Sequence, residues 1–496
     1  MEQEQPLHEL MQVRRSKMEE LRRRGIEPFG PKYEASHYST EIIDNFDSLE
    51  GQQVTVAGRL MSIRSHGKAT FAHLQDFRGQ IQIYLSLDQV GEEQYQNFEL
   101  VDIGDFVGVS GEVFRTRRGE VTVKVFQYTY LAKALRPLPE KWHGLKDVEL
   151  RYRQRYVDLI VNQEVKETFI NRSRIIQAMR EILHRWGFLE METPILQTMA
   201  GGALARPFVT YHNALDMKLY MRIATELHLK RLLVGGLDKV FEIGRIFRNE
   251  GISTIHNPEF TSLEIYENYA DYENMMELTE NLIYEIAQAV FGSAQIVFQG
   301  KEIDLTPPWP RESMVEVVRK YSGVDFSTLE SDEEAFKAAR DAGLELDKGL
   351  SWGEILYMFF EEFCEEQLFA PIFVTGFPIE VSPLAKKEED DTRLTLRFEG
   401  FIAGWEIANA FTELNDPIDQ RERFEQQLAR REAGDDEAHV MDEDFINALE
   451  HGMPPAGGLG IGIDRLVMML TDNISIRDVI LFPTLRPRAD LEQQPG

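Results

Sequence analysis

The sequence predicts an α+β chain of more than one domain: a small five-stranded β-barrel, then a large domain whose antiparallel sheet is flanked by helices. Three observations predict it. Residues 53–132 alternate apolar and polar residues in short runs parted by polar turns, the period of half-buried strands. Residues 239–266 read as a hairpin whose two faces differ in kind. Residues 457–465, GGLGIGIDR, place Gly458, Gly460 and Gly462 at alternate strand positions.

Residues 1–52 lead in with a basic helix, RRSKMEELRRR at 14–24, bearing six Arg or Lys and two Glu. That pattern fits a solvated, salt-bridged face and an RNA-facing surface equally well. The runs VTVAGRL, ATFAHLQD, GQIQIYL, DFVGVSGEVF and EVTVKVFQYTYL give about five strands over residues 53–134. Five short strands suit a barrel of the OB type, which often binds single-stranded nucleic acid. Residues 135–164, opening LRPLPEKW, read as a proline-containing linker with a basic end. The large domain takes residues 165–496, with helical periodicity at Glu167–Trp186, Tyr272–Phe291 and Met314–Tyr321 and a helical insertion around 328–370.

Composition sets limits. A chain of 496 residues with 43% hydrophobic and 28% charged residues is ordinary for a globular protein and long enough for several domains. The single cysteine, Cys364, excludes an intramolecular disulfide and reads as a small buried apolar residue. There is no zinc spacing, no signal core in MEQEQPLHEL and no apolar run that could span a bilayer, so a cytoplasmic location is expected. A net charge of −30 argues against nonspecific nucleic-acid binding but leaves room for a local basic surface. The acid-rich stretch 431–443 is expected to face away from RNA. No P-loop or dinucleotide fingerprint is present.

In the hairpin, Phe241, Ile243 and Phe247 share one face with Thr261, Leu263 and Ile265. Gly244, Arg248 and Glu250 share the other with Phe260, Glu264 and Tyr266. The first face suits a core. The second collects charges that cost stability unless partners satisfy them, so it reads as a site. The glycines at 458, 460 and 462 allow close approach to the backbone, with Asp464 as a helix cap and Arg465 beside the floor. A floor and two arginines suit a polyphosphate. Residues 396–413, LRFEGFIAGWEIANAFTE, form another hairpin turning near Ala403–Gly404, with Glu399 and Glu406 as diagonal neighbours. Glu406 is out of step with Asn409 and Glu413, which predicts a bulge or twist between Glu406 and Asn409.

FRNEG (247–251), HNPEF (256–260) and GIGIDRL (460–466) resemble the second and third signature motifs of class II aminoacyl-tRNA synthetases, and GFLEMETPIL (187–196) resembles the first. GGALARPF (201–208), HNALD (212–216), ELHLKRL (226–232) and NAFTELNDP (409–417) resemble the lysine-specific branch of bacterial type. The resemblance runs from about residue 55 to residue 488. It implies a homodimer that joins L-lysine to ATP and then to tRNA(Lys), with up to three Mg²⁺ ions per subunit. It also implies roles: Arg248 on the amino-acid carboxylate and α-phosphate, Arg465 on the far phosphates, and Phe260 against adenine. Glu250, His256 and Asn257 would position the nucleotide, and Glu399 and Glu406 the metal. Lysine would meet Gly201, Glu226, Glu264, Tyr266, Asn409 and Glu413. The barrel would read the anticodon through Arg64, Phe71, Gln82 and Glu120, although Phe71 taken alone reads as a core ring.

The resemblance departs at Ile255, where the family usually carries a basic residue near the far phosphates. Tyr211, Gly400 and Trp405 also vary, with little consequence expected. The acids Glu226 and Glu413 argue against a ligase for aspartate or asparagine. The barrel argues against the paralogue that lysylates a translation factor. Both arginines and both metal acids argue against a non-catalytic RNA-binding protein on the same fold.

Overall fold

Alternation in the first part of the chain closes into a barrel. The computed structural model describes residues 4–139, 145, 147–199, 201–346, 349–432 and 440–487. Much of the acid-rich stretch 431–443 and part of the expected linker lie outside the described residues. The chain divides into two compact units, Met1–Lys146 and Asp147–Gly496.

In the first unit, β1 (Gln53–His66), β2 (Ala69–Gln75), β3 (Gln80–Ser86), β4 (Phe106–Arg115) and β5 (Val121–Ala132) close in the order β1-β2-β3-β5-β4. Val56, Leu74, Ile83, Val109 and Val123 fill the interior from alternate positions. The helix Glu4–Arg23 precedes it, and its charges divide by role. Arg14 donates to the Ala134 carbonyl at 2.7 Å and Lys17 meets Asp102 at 2.6 Å. Arg22, Arg23 and Arg24 pair with Glu19 or Glu20 one turn away. Most of the basic stretch is thus engaged within the unit.

The second unit holds β6 (Leu189–Glu190), β7 (Leu196–Gln197), β8 (Val209–His212), β9 (Met217–Met221), β10 (Lys239–Phe247) and β11 (Glu259–Asn268). There follow β12 (Gln295–Phe298), β13 (Lys301–Asp304), β14 (Arg311–Ser313), β15 (Ile372–Pro378), β16 (Leu394–Ile402), β17 (Trp405–Thr412) and β18 (Ala456–Gly462). Eight of them form one sheet in the order β14-β15-β16-β17-β18-β11-β10-β6. Its centre is antiparallel, and the short edge strands β6 and β14 pair in parallel. Parallel partners need long crossovers, and β14 reaches β15 through the helices Met314–Ser322, Asp332–Asp341 and Trp352–Phe363. The last two of these lie within the insertion expected at 328–370. Cys364 is buried in the hydrophobic cluster beside them.

Helices Gln163–Arg185, Tyr272–Phe291 and Ile463–Leu470 pack with Phe241, Leu263, Ile265, Leu459 and Ile461 in the largest core. The opposite face of the central strands is left for polar groups. One expectation needs correction: residues 147–164, read as linker, are helical at Val148–Arg153 and Arg155–Val161 and belong to the second unit. Arg155 is fully buried, bonding Asp158 at 2.6 Å and the Arg477 carbonyl at 2.7 Å. From sequence alone it reads as part of the linker's basic end.

Candidate functional site

The β10–β11 hairpin pairs Phe241 with Ile265 and Ile243 with Leu263 toward the core, and Glu242 with Glu264 on the other face. The strand ends at Phe247, so Arg248 and Glu250 stand in the loop beyond it rather than on the strand. The Arg248 N–H donates to the Pro258 carbonyl at 2.9 Å, and its guanidinium lies 5.3 Å from the centre of the Phe260 ring. Part of the polar face is structural. Glu242 is buried against Arg222 at 2.5 Å, and Gly244 leaves the room that this arginine fills.

A cavity of about 450 Å³ opens over this face. Glu226, Arg248, Glu250, His256, Asn257, Phe260, Glu264, Tyr266, Glu399, Glu406, Asn409 and Arg465 line it, with Gly458, Gly460 and Gly462 as floor. Gly201 and Glu413 do not. Gly201 packs on Leu227 beside the lining Gly202, and Glu413 Oε1 lies against Gly458 on the side that a Cβ would occupy.

One end of the cavity is acidic. Glu264 accepts from the Thr225 N–H and the Tyr266 hydroxyl, each at 2.9 Å. Glu226 and Glu413 are buried, and Lys230 stands between them, 2.5 Å from Glu226 and bonded to Glu413. Burial pushes the carboxyls of Glu226, Glu264 and Glu413 upward. Burial alone would lower Lys230, but Glu226 and Glu413 raise it on balance.

The other end is cationic. Arg465 donates to the Glu406 carbonyl at 2.8 Å and meets its carboxylate at 3.1 Å, and its other nitrogen lies 3.3 Å from His256 Nε2. Burial, then Arg465, hold His256 below its usual pKa and favour the neutral ring. Asn257 Oδ1 is buried without a hydrogen-bond partner. Contrary to the expectation from sequence, Asp464 does not cap its helix; it accepts from Arg172 and the Thr261 N–H, both at 2.6 Å. That bond ties the Arg465 helix to the strand bearing Phe260.

The β16–β17 hairpin turns at Ala403 and Gly404, both with positive φ. Its register shifts from Gly400↔Ala408 to Phe401↔Glu406, leaving Ile407 as an extra residue. That bulge lies between Glu406 and Asn409, as the strand phase requires, and lets both line the cavity. Arg397 holds the set together, donating to Glu399 at 2.6 Å and Asn409 at 3.1 Å. Burial, then Glu406, push Glu399 up to about 8. Burial, then Glu361 and Glu406, push Glu365 up to about 7.

Residues 147–486 match the family of class II tRNA synthetases (D, K and N), and residues 54–131 match the OB-fold nucleic acid binding domain. The chain is 62% identical to a lysine–tRNA ligase of Pelotomaculum thermopropionicum, covering 98% of this chain and 96% of the relative. It is 60% identical to that of Moorella thermoacetica (97% and 99% covered) and 57% identical to that of Staphylococcus epidermidis (97% and 99%). The chain belongs to the lysine–tRNA ligase family of class II synthetases.

The ligase carries its four expected anticodon residues on one region of the barrel, with Arg64 and Glu120 exposed, Phe71 partly exposed and Gln82 buried. Arg64 pairs with Phe71 across β1–β2, and Phe71 with Tyr84 across β2–β3. Phe71 is partly exposed, outside the barrel core, with its ring 4.8 Å from Tyr84. Gln82 donates to Glu120 at 2.7 Å, and His73 meets the same carboxylate at 2.9 Å. Sequence reasoning missed Lys230, Arg397, His73 and Tyr84. Signals existed for two of them: Lys230 follows Glu226 by four helical positions, and Arg397 shares a strand face with Glu399. Ile255 lines the cavity and packs against the main core. Among the described residues, no helix is long and apolar enough to cross a membrane.

Proposed function

We propose that this ligase activates L-lysine in the cavity and then charges tRNA(Lys) at its 3′ end. The reading rests on one observation: a single cavity lined by buried carboxylates at one end and two arginines at the other. In the first step a lysine carboxylate oxygen attacks the α-phosphorus of ATP, and the bond to the pyrophosphate oxygen breaks. Arg248 bridges the two anions. Arg465 holds the departing phosphates and covers adenine, with Phe260 on its other side. Glu250, His256 and Asn257 orient the nucleotide, and the orphan oxygen of Asn257 suits a donor on the ligand. Glu226, Glu264, Tyr266, Asn409 and Glu413 hold the ammonium groups, with Gly201 beside them. Neutral analogues would leave these acids unpaired. In the second step the terminal ribose hydroxyl of tRNA attacks the lysyl carbonyl and AMP leaves.

Glu399 and Glu406 fit Mg²⁺. They are hard oxygen donors, and the Glu406 carboxylate raises the cost of charge on Glu399. Among the described residues no group of three or more acidic, His or Cys side chains could hold a metal by itself, so phosphate oxygens would complete the sphere, as is usual for Mg²⁺. Up to three ions per subunit would neutralise phosphate charge when bound. The barrel reads the anticodon by stacking on Phe71 and hydrogen bonding from Arg64, Gln82 and Glu120. A homodimer is supported by exposed Leu189, Ile195 and Leu196 in the GFLEMETPIL segment. A reducing, cytoplasmic setting agrees with a lone buried thiol.

The test is ATP–pyrophosphate exchange with Mg²⁺ and no tRNA. Exchange with lysine and none with aspartate is expected. Absence of exchange with any amino acid would overturn the activation step, and sedimentation would decide the dimer.

A further inference from the structure

Lys230 sits on the helix Glu226–Val234, one turn after Glu226, with no exposed surface. It does not line the cavity. Its ammonium lies between the two carboxylates, 2.5 Å from Glu226 and bonded to Glu413 Oε2, and 5.3 Å from the centre of the Phe411 ring. A buried ammonium is costly, and a Leu or Met would satisfy the packing at that position. Glu413 Oε1 is buried without a hydrogen-bond partner and faces Gly458, where a methyl group would fall 1.8 Å from it. The glycine at 458 therefore leaves that oxygen open toward the cavity floor.

The charges around this end can be counted. Glu226, Glu264 and Glu413 are the acids, and Lys230 is the internal cation. Nearby Glu242 is matched by Arg222, and Arg397 is matched by Glu399. Three carboxylates against one ammonium leave two negative charges. Lysine brings two ammonium groups, and its carboxylate faces Arg248. The counts agree.

We propose that Lys230 is a positioning residue that determines specificity: its ammonium takes up one carboxylate charge and leaves the pocket matched to a substrate with two ammonium groups. The proposal rests on the lysine-binding reading above. Without Lys230, Glu226 and Glu413 face each other across a vacated space and cannot both stay ionised. One takes a proton or turns away, and the open oxygen of Glu413 is no longer presented to the substrate.

The test uses the full-length protein and Lys230→Met, a nearly isosteric neutral change. KM values for lysine and ATP are read from pyrophosphate exchange, and ATP binding without lysine from calorimetry. The lysine KM should rise roughly 30-fold or more, within the scale of unpairing a buried charge, while ATP binding stays within about twofold. In Lys230→Ala, n-propylammonium, which replaces the missing atoms, should restore much of the lysine KM. A lysine KM for Lys230→Met within about threefold of wild type would overturn the proposal. Parallel loss of lysine and ATP binding, unrelieved by propylammonium in Lys230→Ala, would also overturn it, because it would make Lys230 a structural pin. Wild-type protein without lysine-dependent exchange would instead remove the reading on which the proposal stands.

Discussion

The barrel face and the catalytic cavity both gather polar groups from several strands, yet they satisfy them differently. On the barrel, Gln82 and His73 both bond the exposed Glu120 carboxylate, which water can also reach. At the cavity, Glu226, Glu264 and Glu399 in its lining and Glu413 beside it are buried, and each depends on a particular cation or donor. The lesson is one of sensitivity. A solvated face recognises by exchanging hydrogen bonds, and losing one group there costs little. A buried site recognises by leaving charges incomplete, and a single change exposes the whole desolvation cost.

Four substitutions test that contrast, beginning with the strongest. Arg248→Ala should lower lysine-dependent exchange by roughly 10²–10³-fold or more, since a preorganised donor on the reacting phosphate is lost. A loss under tenfold would break the contrast at once. Glu413→Gln should raise the lysine KM about 10²-fold by unpairing a buried charge, with little change for ATP. The wild-type lysine KM should also rise as pH falls, because the carboxyls of Glu226, Glu264 and Glu413 are pushed upward and must be ionised to bind an ammonium. A KM flat down to pH 5 would argue that these acids stay charged without the substrate.

Arg397→Met should weaken apparent Mg²⁺ affinity by roughly 10–100-fold, the scale for losing a group that orients a metal ligand. Mg²⁺ titration of exchange reads this, and an unchanged midpoint would remove Arg397 from the site. Phe71→Ala should change only the tRNA step. Lost stacking contributes roughly 1–3 kcal/mol per base, visible as a higher KM for tRNA(Lys) with exchange unaltered. A drop in tRNA-free exchange would show instead that Phe71 supports the fold.

The lining of the cavity was largely legible because strand period and motif spacing are local. Alternation put Glu264 and Tyr266 on one face, and the phase mismatch of Glu406 with Asn409 implied the bulge that appears at Ile407. Two expectations failed where a charge found a distant partner. Asp464 looked like a cap because it stands at a helix start, but Arg172 on another helix claims it. Arg155 looked like a basic linker end, but it is buried against the Arg477 and Leu481 carbonyls.

By itself the sequence determined which residues face together: the core and site faces of each hairpin, the glycine floor, and the out-of-phase acids. Those follow from a two-residue period that needs no knowledge of neighbours. Only the tertiary structure decided who neutralises whom. Lys230 between Glu226 and Glu413, Arg397 between Glu399 and Asn409, and Arg222 against Glu242 join groups that burial brings together. A lysine on a helix has the same local pattern whether it meets water or two carboxylates. Its surroundings, and hence its charge and its purpose, are set by packing.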